Sequence, residues 1–596
     1  MASVLSVCES REKWGSIVIK PISFMLLATL GLASCSKAPQ RSDFSSKGKP
    51  ASDNSENGTD TDTDTEGKGS DKPGSTDSSS AADTVALSGI IGKIMQDKYD
   101  CSAKPTSGPP ELRLLTSEEY QRTVQDVLKV TVDYRSQLPK DPSVFGFKNN
   151  TSVGTVSDSH ATSYMEAAIN IADETRPKMK TLVGCDESEG ASCAQKVIDD
   201  LGAKLWRRPL TADESKPMVD LFTKTYAKSK TEAMSLLLAS ILNSPNFLYR
   251  SEIGKNGALS SYELASALSY FFWGTVPDKE LRDLAVNGTL LQDSVLLAQA
   301  TRLLKDPKSV FLVNDFSNGW LGASTVKFIA KDATKYPQWT QDIKNDLVAE
   351  SEKTFEYIFR QPKGSYKDLV ASDYTIGSER LATYYGTKTI TDGGVTKIDF
   401  SKTTRRGVLG YGAILASLAS QTETNPFKRG DFVLSKIFCD LPPPTPEGLK
   451  FEPPKPDDTL TSRERFAQHS NKPACKGCHI GIDGIGFGME DFDAVGLFRS
   501  EDNGKAVDAS GTVVHIDGKD RPFDGAGQLS AHIADSRQAK RCYVMQWYRL
   551  AQGRIERDRD ICAVRELADQ FEAGTLPLSE LVIKVITHKS FTKRGE

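Results

Sequence analysis

Polar and apolar positions along this chain alternate mostly with the period of helices. Thr116-Ser-Glu-Glu119 has the hydroxyl-then-carboxylate spacing of a capping box, and Tyr120, Val124, Val127 and Leu128 then recur at i, i+4, i+7 and i+8. The same grammar returns at Thr211-Ala-Asp-Glu214, and at Ser260-Ser-Tyr-Glu263 ahead of Leu264, Leu268, Phe271 and Phe272. Further helical periods fall at 230–243, 292–305, 337–360, 405–418, 429–438, 535–552 and 576–588. Strand-like alternation is scarce. Gly393-Gly394, Asp502-Asn-Gly504 and the proline-rich stretch from Pro442 to Pro456 are the clearest breaks, with room for short hairpins near 386–400 and 505–523. The pattern predicts a mostly α fold, a multi-helical array with little β and no repeat of fixed period.

Outside that pattern lies the beginning of the chain. Arg11, Lys13 and Lys20 precede the apolar run Ile22–Ala33, which is too short for a permanent membrane span and reads as an export signal. It closes on Leu32-Ala-Ser-Cys35, which resembles a bacterial lipobox, so Cys35 is the expected site of lipidation. Ser36 in place of an aspartate implies the outer membrane within that resemblance. From Ser36 to about residue 84 the chain is Ser, Thr, Asp, Gly and Lys, including Thr59-Asp-Thr-Asp-Thr-Asp-Thr-Glu66. Such a stretch cannot bury enough surface to offset its ordering entropy, and it reads as a solvated tether rather than a calcium loop. The expected organisation is a signal peptide over 1–35, a tether over 36–84, helical domains over 85–250 and 251–390, a motif-bearing domain over 391–505 and a C-terminal helical domain over 506–596. Seventy-five Lys and Arg against 79 Asp and Glu give a net charge of −4 on 596 residues, which offers no reason to expect nucleic acid.

The candidate chemistry gathers at Cys475-Lys-Gly-Cys478-His479. In C-x-x-C-H two thiols one helical turn apart can add to the vinyl groups of one porphyrin, and the adjacent imidazole meets the iron as proximal ligand. With 10 cysteines and 6 histidines in 596 residues, an accidental match is expected roughly 0.002 times per chain. A redox dithiol, a structural disulfide or half of a zinc site are the rivals, and zinc would need further ligands where only the isolated His469, His515 and His532 are near in sequence.

The remaining features admit plainer readings. Gly481, Gly484, Gly486 and Gly488 lack the dinucleotide spacing and read as a turn. Arg207-Arg208 reads as helix-boundary charge or, less directly, an anion site. Glu490, Asp491 and Asp493 read as a solvated acidic turn, with general acid/base work as the alternative. His160, His515, His532 and His588 read as surface or hydrogen-bonded residues. Outside the leader and the motif, Cys101, Cys185, Cys193, Cys439, Cys542 and Cys562 are even in number. Local loop closure would pair Cys185 with Cys193 and Cys542 with Cys562, leaving Cys101 with Cys439 by elimination, and buried free thiols are the alternative.

Many separate stretches carry a family resemblance, in order. They include Arg113-Leu-Leu-Thr-Ser-Glu-Glu-Tyr120, Leu205-Trp-Arg-Arg-Pro-Leu-Thr211, Ser244-Pro-Asn-Phe-Leu-Tyr-Arg250, Asp373-Tyr-Thr375, Arg405-Arg-Gly-Val-Leu409, the motif itself and Glu490-Asp-Phe-Asp-Ala-Val-Gly496. From about Glu111 onward the chain resembles an exported bacterial family labelled planctomycete cytochrome c-like. That family is built of consecutive domains of unknown function numbered 1587, 1595, 1592, 1588 and 1585. The resemblance implies a cytochrome c-like haem segment embedded in the helical array. Where the family usually has Ile-Asp-Pro after the histidine, this chain has Ile482-Asp483-Gly484, and Met489 stands where another apolar residue is usual.

The expected protein is therefore an exported, lipid-anchored c-type haem protein of the bacterial cell envelope, holding one covalent haem c. It would act in electron transfer or as the electron port of a redox enzyme. Cys475 and Cys478 would supply the thioethers and His479 the proximal nitrogen. The distal position stays open among Met489, Met545, His469 and an open or water-bound site. Expected partners are the membrane through the anchor, a redox partner protein and an extracellular polymer, with no nucleic acid. A non-enzymatic binding or scaffold lipoprotein, in which the motif is a staple, is the rival class. An envelope-polymer hydrolase is disfavoured because no acid/base pair is recognisable.

Overall fold

The computed structural model describes residues 81–96, 98–102, 108–443, 454–455 and 457–594, and gives only the backbone at 81–84, 469, 473, 474 and 478. The signal, Cys35, the tether up to residue 80 and most of the proline-rich stretch lie outside the described residues.

Helices dominate, and the sequence signals that start them are realised as hydrogen bonds. Helix α1 (Ala81–Met95) leads the described chain, followed by strand β1 (Glu111–Leu114) and helix α2 (Ser117–Leu128). The Thr116 side chain accepts the Glu119 N–H, and the Glu119 carboxylate accepts the Thr116 N–H at 2.9 Å. That reciprocal pair satisfies two otherwise orphaned donors, and Tyr120, Val124, Val127 and Leu128 are buried as their spacing predicts. Thr211 and Ser260 start the helices Ala212–Tyr226 and Ser261–Trp273 in the same way. The 405–418 period is realised as two short turns, and 429–438 as a helix that widens into π geometry over Val433–Phe438.

The small amount of β structure falls largely where turn residues predict it. Strands β3 (Thr389–Asp392) and β4 (Val395–Asp399) pair through Gly393-Gly394, both left-handed, and Tyr374–Ile376 pairs antiparallel along the other edge of β4. Strands β5 (Ser510–Val513) and β6 (Arg521–Asp524) form a second hairpin. The pairing of β1 with β2 (Tyr249–Glu252) is non-local, and it sets Arg113 opposite Arg250.

That pairing explains several of the stretches that carry the family resemblance. Glu252 is fully buried and accepts Arg113 at 2.9 Å, Arg250 at 3.3 Å and Arg594 at 2.8 Å. Arg113 also donates to the carbonyls of Ala551 and Gln552. Arg207, buried with a left-handed backbone just past the helix Ala203–Leu205, donates to the carbonyls of Asn246, Phe247 and Tyr249 at the end of the helix Pro245–Leu248, so it serves as a buried helix-boundary charge rather than an anion site. Arg208 does pair with Glu214 of the following capping box at 2.7 Å.

The core is drawn from distant parts of the chain. One cluster runs from Leu87 to Phe591 and includes helices α3 (Ser261–Trp273), α4 (Val310–Leu321), α5 (Gln341–Arg360) and the C-terminal helices over Gly525–Asp535 and Arg537–Gln552. At its centre Trp547 stacks on Phe316 with ring centroids 3.5 Å apart. A second cluster from Leu115 to Val276 fills the space around α2.

Cysteine pairing differs from local closure except at Cys185–Cys193. Cys542 bonds Cys439, and Cys562 bonds Cys101. The expected Cys542–Cys562 and Cys101–Cys439 bridges are absent because of where α1 sits. Its last carbonyls, Ile94 and Gln96, accept hydrogen bonds from Arg541 and Arg565, which delivers Cys101 to Cys562. Among the described residues no helix is long and apolar enough to cross a membrane.

Candidate functional site

Three helices build the motif region. Helix α6 (Pro426–Phe432) starts at Asn425, whose side chain accepts the Lys428 N–H, with Pro426 in the first turn. Helix α7 (Ser462–Ser470) precedes α8 (Pro473–Phe487), which carries the motif and also opens on a proline.

Helix α8 corrects the reading of its glycines as a turn, because it continues through all of them except Gly488. The glycines are small because other backbones touch the helix. A Cβ at Gly486 would overlap the Pro426 carbonyl, and one at Gly430 would overlap the Ile482 carbonyl, so α6 and α8 cross with their main chains in contact. On another face a Cβ at Gly484 would stand 2.6 Å from the Thr512 carbonyl oxygen of β5. The helix is therefore gripped between α6 and β5. Gly486→Ala should force α6 and α8 apart and cost about 1–3 kcal/mol. A urea midpoint unchanged from the parent would remove the close-crossing account.

Helical spacing puts positions 475, 478 and 479 on one face of α8. The Cys475 thiol is buried, at 8% exposure. His479 is largely enclosed, and its Nδ1 lies 2.9 Å from Asp483 Oδ1, one turn further along the same helix. The Phe427 ring packs on the imidazole with centroids 4.3 Å apart, and Phe466 of α7 meets Phe427 edge-on at 4.7 Å. Asp483 and Phe427 were not singled out by the sequence. Reading the glycines as a turn hid the i, i+4 relation of His479 to Asp483.

Of the acidic residues after the helix, Glu490 and Asp491 are buried and Asp493 is half-buried, so the turn is not a solvated one. Glu490 accepts Arg429 at 3.0 Å and Arg499 at 2.8 Å, with the Thr424 hydroxyl as a further donor. Arg429, with no exposed surface, also donates to the carbonyls of Met489, Phe492 and Asp493. Asp493 accepts the N–H groups of Val495 and Leu497, which shapes the turn. Asp491 accepts the Thr404 hydroxyl, and burial pushes its carboxyl up to about 6. Arg405, stacked on Tyr385 and Phe492, binds the Gly496 carbonyl with its other hydrogen-bonding edge. These groups hold the segment after α8 and do not converge on an open cleft.

Of the distal candidates, Met489 is fully buried directly after α8, and Met545 is fully buried on the helix Arg537–Gln552. The His469 and Cys478 side chains lie outside the described residues. Elsewhere His160, His532 and His588 hydrogen-bond locally to Thr155, Pro522 and Ser590, and His515 is exposed. The helix α9 (Gly525–Asp535) and α10 (Arg537–Gln552) follow β6 and lead to α11 (Ile561–Glu572) and α12 (Leu578–Thr587).

The chain matches five sequence families in succession, each described as a protein of unknown function. They are DUF1587 over 113–176, DUF1595 over 193–252, DUF1592 over 259–387, DUF1588 over 405–502 and DUF1585 over 519–591. Their order is the one the resemblance implies. The chain belongs to the planctomycete cytochrome c-like domain series. Within the series the motif, its aromatic neighbours and the arginine-bound acidic turn all fall in the DUF1588 segment, as do α6, α7 and α8. No curated protein and no solved structure matches the chain.

The donor set suits a c-type haem. Two cysteine positions and an imidazole share one helix face, and a carboxylate on Nδ1 makes Nε2 the nitrogen that would meet a metal.

Proposed function

We propose that the chain is an exported, lipid-anchored protein carrying one covalent c-type haem, used in electron transfer or as the electron port of a redox enzyme. The observation that carries this reading is the Cys475, Cys478 and His479 set on one face of α8, with Asp483 against His479 Nδ1. Cys475 and Cys478 would hold the group by thioether bonds, and His479 Nε2 would take its iron. When bound, haem supplies one-electron redox chemistry. Around it the chain's own residues do the positioning: α6 and β5 fix the helix, and Phe427 and Asp483 fix the ring. The lipobox at Cys35 supports export and anchoring in the cell envelope, with the outer membrane as the proposed destination. The helical region ahead of the motif is larger than electron carriage requires and has room to engage a redox partner or an extracellular polymer.

The test is expression in a host that attaches haem to C-x-x-C-H. The protein should keep haem through denaturation and give a c-type pyridine haemochrome, and Cys475→Ala with Cys478→Ala should abolish retention entirely. A colourless parent protein from such a host would replace this reading with the scaffold one.

A further inference from the structure

We propose that Asp483 is a positioning residue for the metal-binding imidazole, fixing the His479 tautomer and adding negative charge that favours ferric over ferrous iron. This rests on the haem reading above.

A carboxylate can only accept at Nδ1, so the 2.9 Å contact places a proton there and, in the neutral imidazole that binds a metal, the lone pair on Nε2. A neutral carbonyl could fix the tautomer equally well. The carboxylate adds a charge, raises the basicity of the ligating nitrogen and stabilises the more positive metal state. Burial strengthens the effect, because the His479 and Asp483 side chains are only 15% and 11% exposed and solvent screens them weakly. The geometry is also held firmly. Both residues stand on α8, whose glycine faces bear directly on the backbones of α6 and β5, and the Phe427 ring blocks rotation of the imidazole. Gly484, immediately after Asp483, allows this approach, since a Cβ there would press on the Thr512 carbonyl. The continuous helix through 484 brings the carboxylate onto the histidine's face.

The test compares the haem-loaded parent with Asp483→Asn, which keeps an oxygen acceptor for Nδ1–H and removes the charge, and with Asp483→Ala, which removes both. The reduction potential should rise in Asn, by about 60 mV for each tenfold loss of ferric preference. Removing a partner of a metal-bound histidine changes metal affinity or activity about tenfold to hundredfold, and a loss of about tenfold in ferric preference is expected in Asn, which keeps the hydrogen bond and loses only the charge. A second readout needs no haem. In protein made without haem attachment and labelled with 15N at its 6 histidines, the His479 signal should report the Nδ1-protonated tautomer in the parent and in Asn, and tautomer exchange in Ala. A potential that is unchanged in Asn overturns the charge role of Asp483 while leaving the haem reading intact. An Nε2-protonated His479 in the unloaded parent overturns the positioning role. Absence of haem from every variant overturns the cofactor reading, and this proposal with it.

Discussion

Arg429→Ala should destabilise the protein by about 3–5 kcal/mol, the range for removing one partner of a buried ion pair. The side chain has no exposed surface, and its donors reach Met489 O at 2.6 Å, Phe492 O at 2.8 Å, Asp493 O at 2.8 Å and Glu490 Oε1 at 3.0 Å. Truncation leaves these carbonyls without their donor in a buried turn and strips Glu490 of one of its two guanidinium partners. Burial lowers the basicity of Arg429 itself, but the groups around it reward the charged form. Arg429→Lys should recover part of the loss, because an ammonium offers fewer donors without the planar fork. Arg499→Ala should cost less, since Arg499 remains partly exposed. Urea unfolding of the three variants checks the order. A loss below about 1 kcal/mol in Arg429→Ala would show that the turn after α8 is held by packing instead.

Cys439→Ser with Cys542→Ser should cost about 4–5 kcal/mol in the chain-entropy picture, given the 103-residue separation that this bridge spans. Cys439 closes the widened turn after α6, and Cys542 lies on α10, so the bridge ties the motif-bearing segment to the C-terminal helices. Trp320 reinforces the same junction by donating to the Lys436 carbonyl at 2.8 Å. Peptide mapping without reductant should recover Cys439 with Cys542 and Cys101 with Cys562. A fragment joining Cys542 to Cys562 would refute the arrangement, and a thermal midpoint unmoved by the double substitution would refute its energetic weight.

What could be read in the sequence was local. A capping box needs residues three apart, so Thr116, Thr211 and Ser260 declared their helices directly. Gly393-Gly394 announced its hairpin because left-handed backbone favours glycine, while Asp502-Asn-Gly504 was legible as a break but not as the turn of the short hairpin it forms between Glu501–Asp502 and Lys505–Ala506. The motif at 475–479 was legible for the same reason. What failed depended on distant neighbours. A glycine that admits another backbone looks, in sequence, like a glycine that turns the chain, and Gly484 and Gly486 are of the first kind. Misreading them hid Asp483. The roles of Arg113 and Arg429 went unread because nothing adjacent in sequence announces the carbonyls they bind. Pairing by shortest loop held at Cys185–Cys193 but failed at Cys542 and Cys562, because α1 returns to helices made more than 440 residues later, as the bond of Arg541 to Ile94, 447 positions apart, shows.

That return has a consequence for biogenesis. Cys101 is synthesised before every other cysteine of the three bridges, and its partner Cys562 is the last of them. A catalyst that oxidises thiols in order of appearance would join Cys101 to Cys185, and that bond would then have to be exchanged away. Correct oxidation thus waits for α11, and with it the docking of α1. A chain interrupted before residue 562 would lack the native partner of Cys101 and leave α1 without α11 to dock on, which marks it for proteolysis. The first bridge to be started is the last that can be closed, so its closure certifies a chain made at least as far as residue 562.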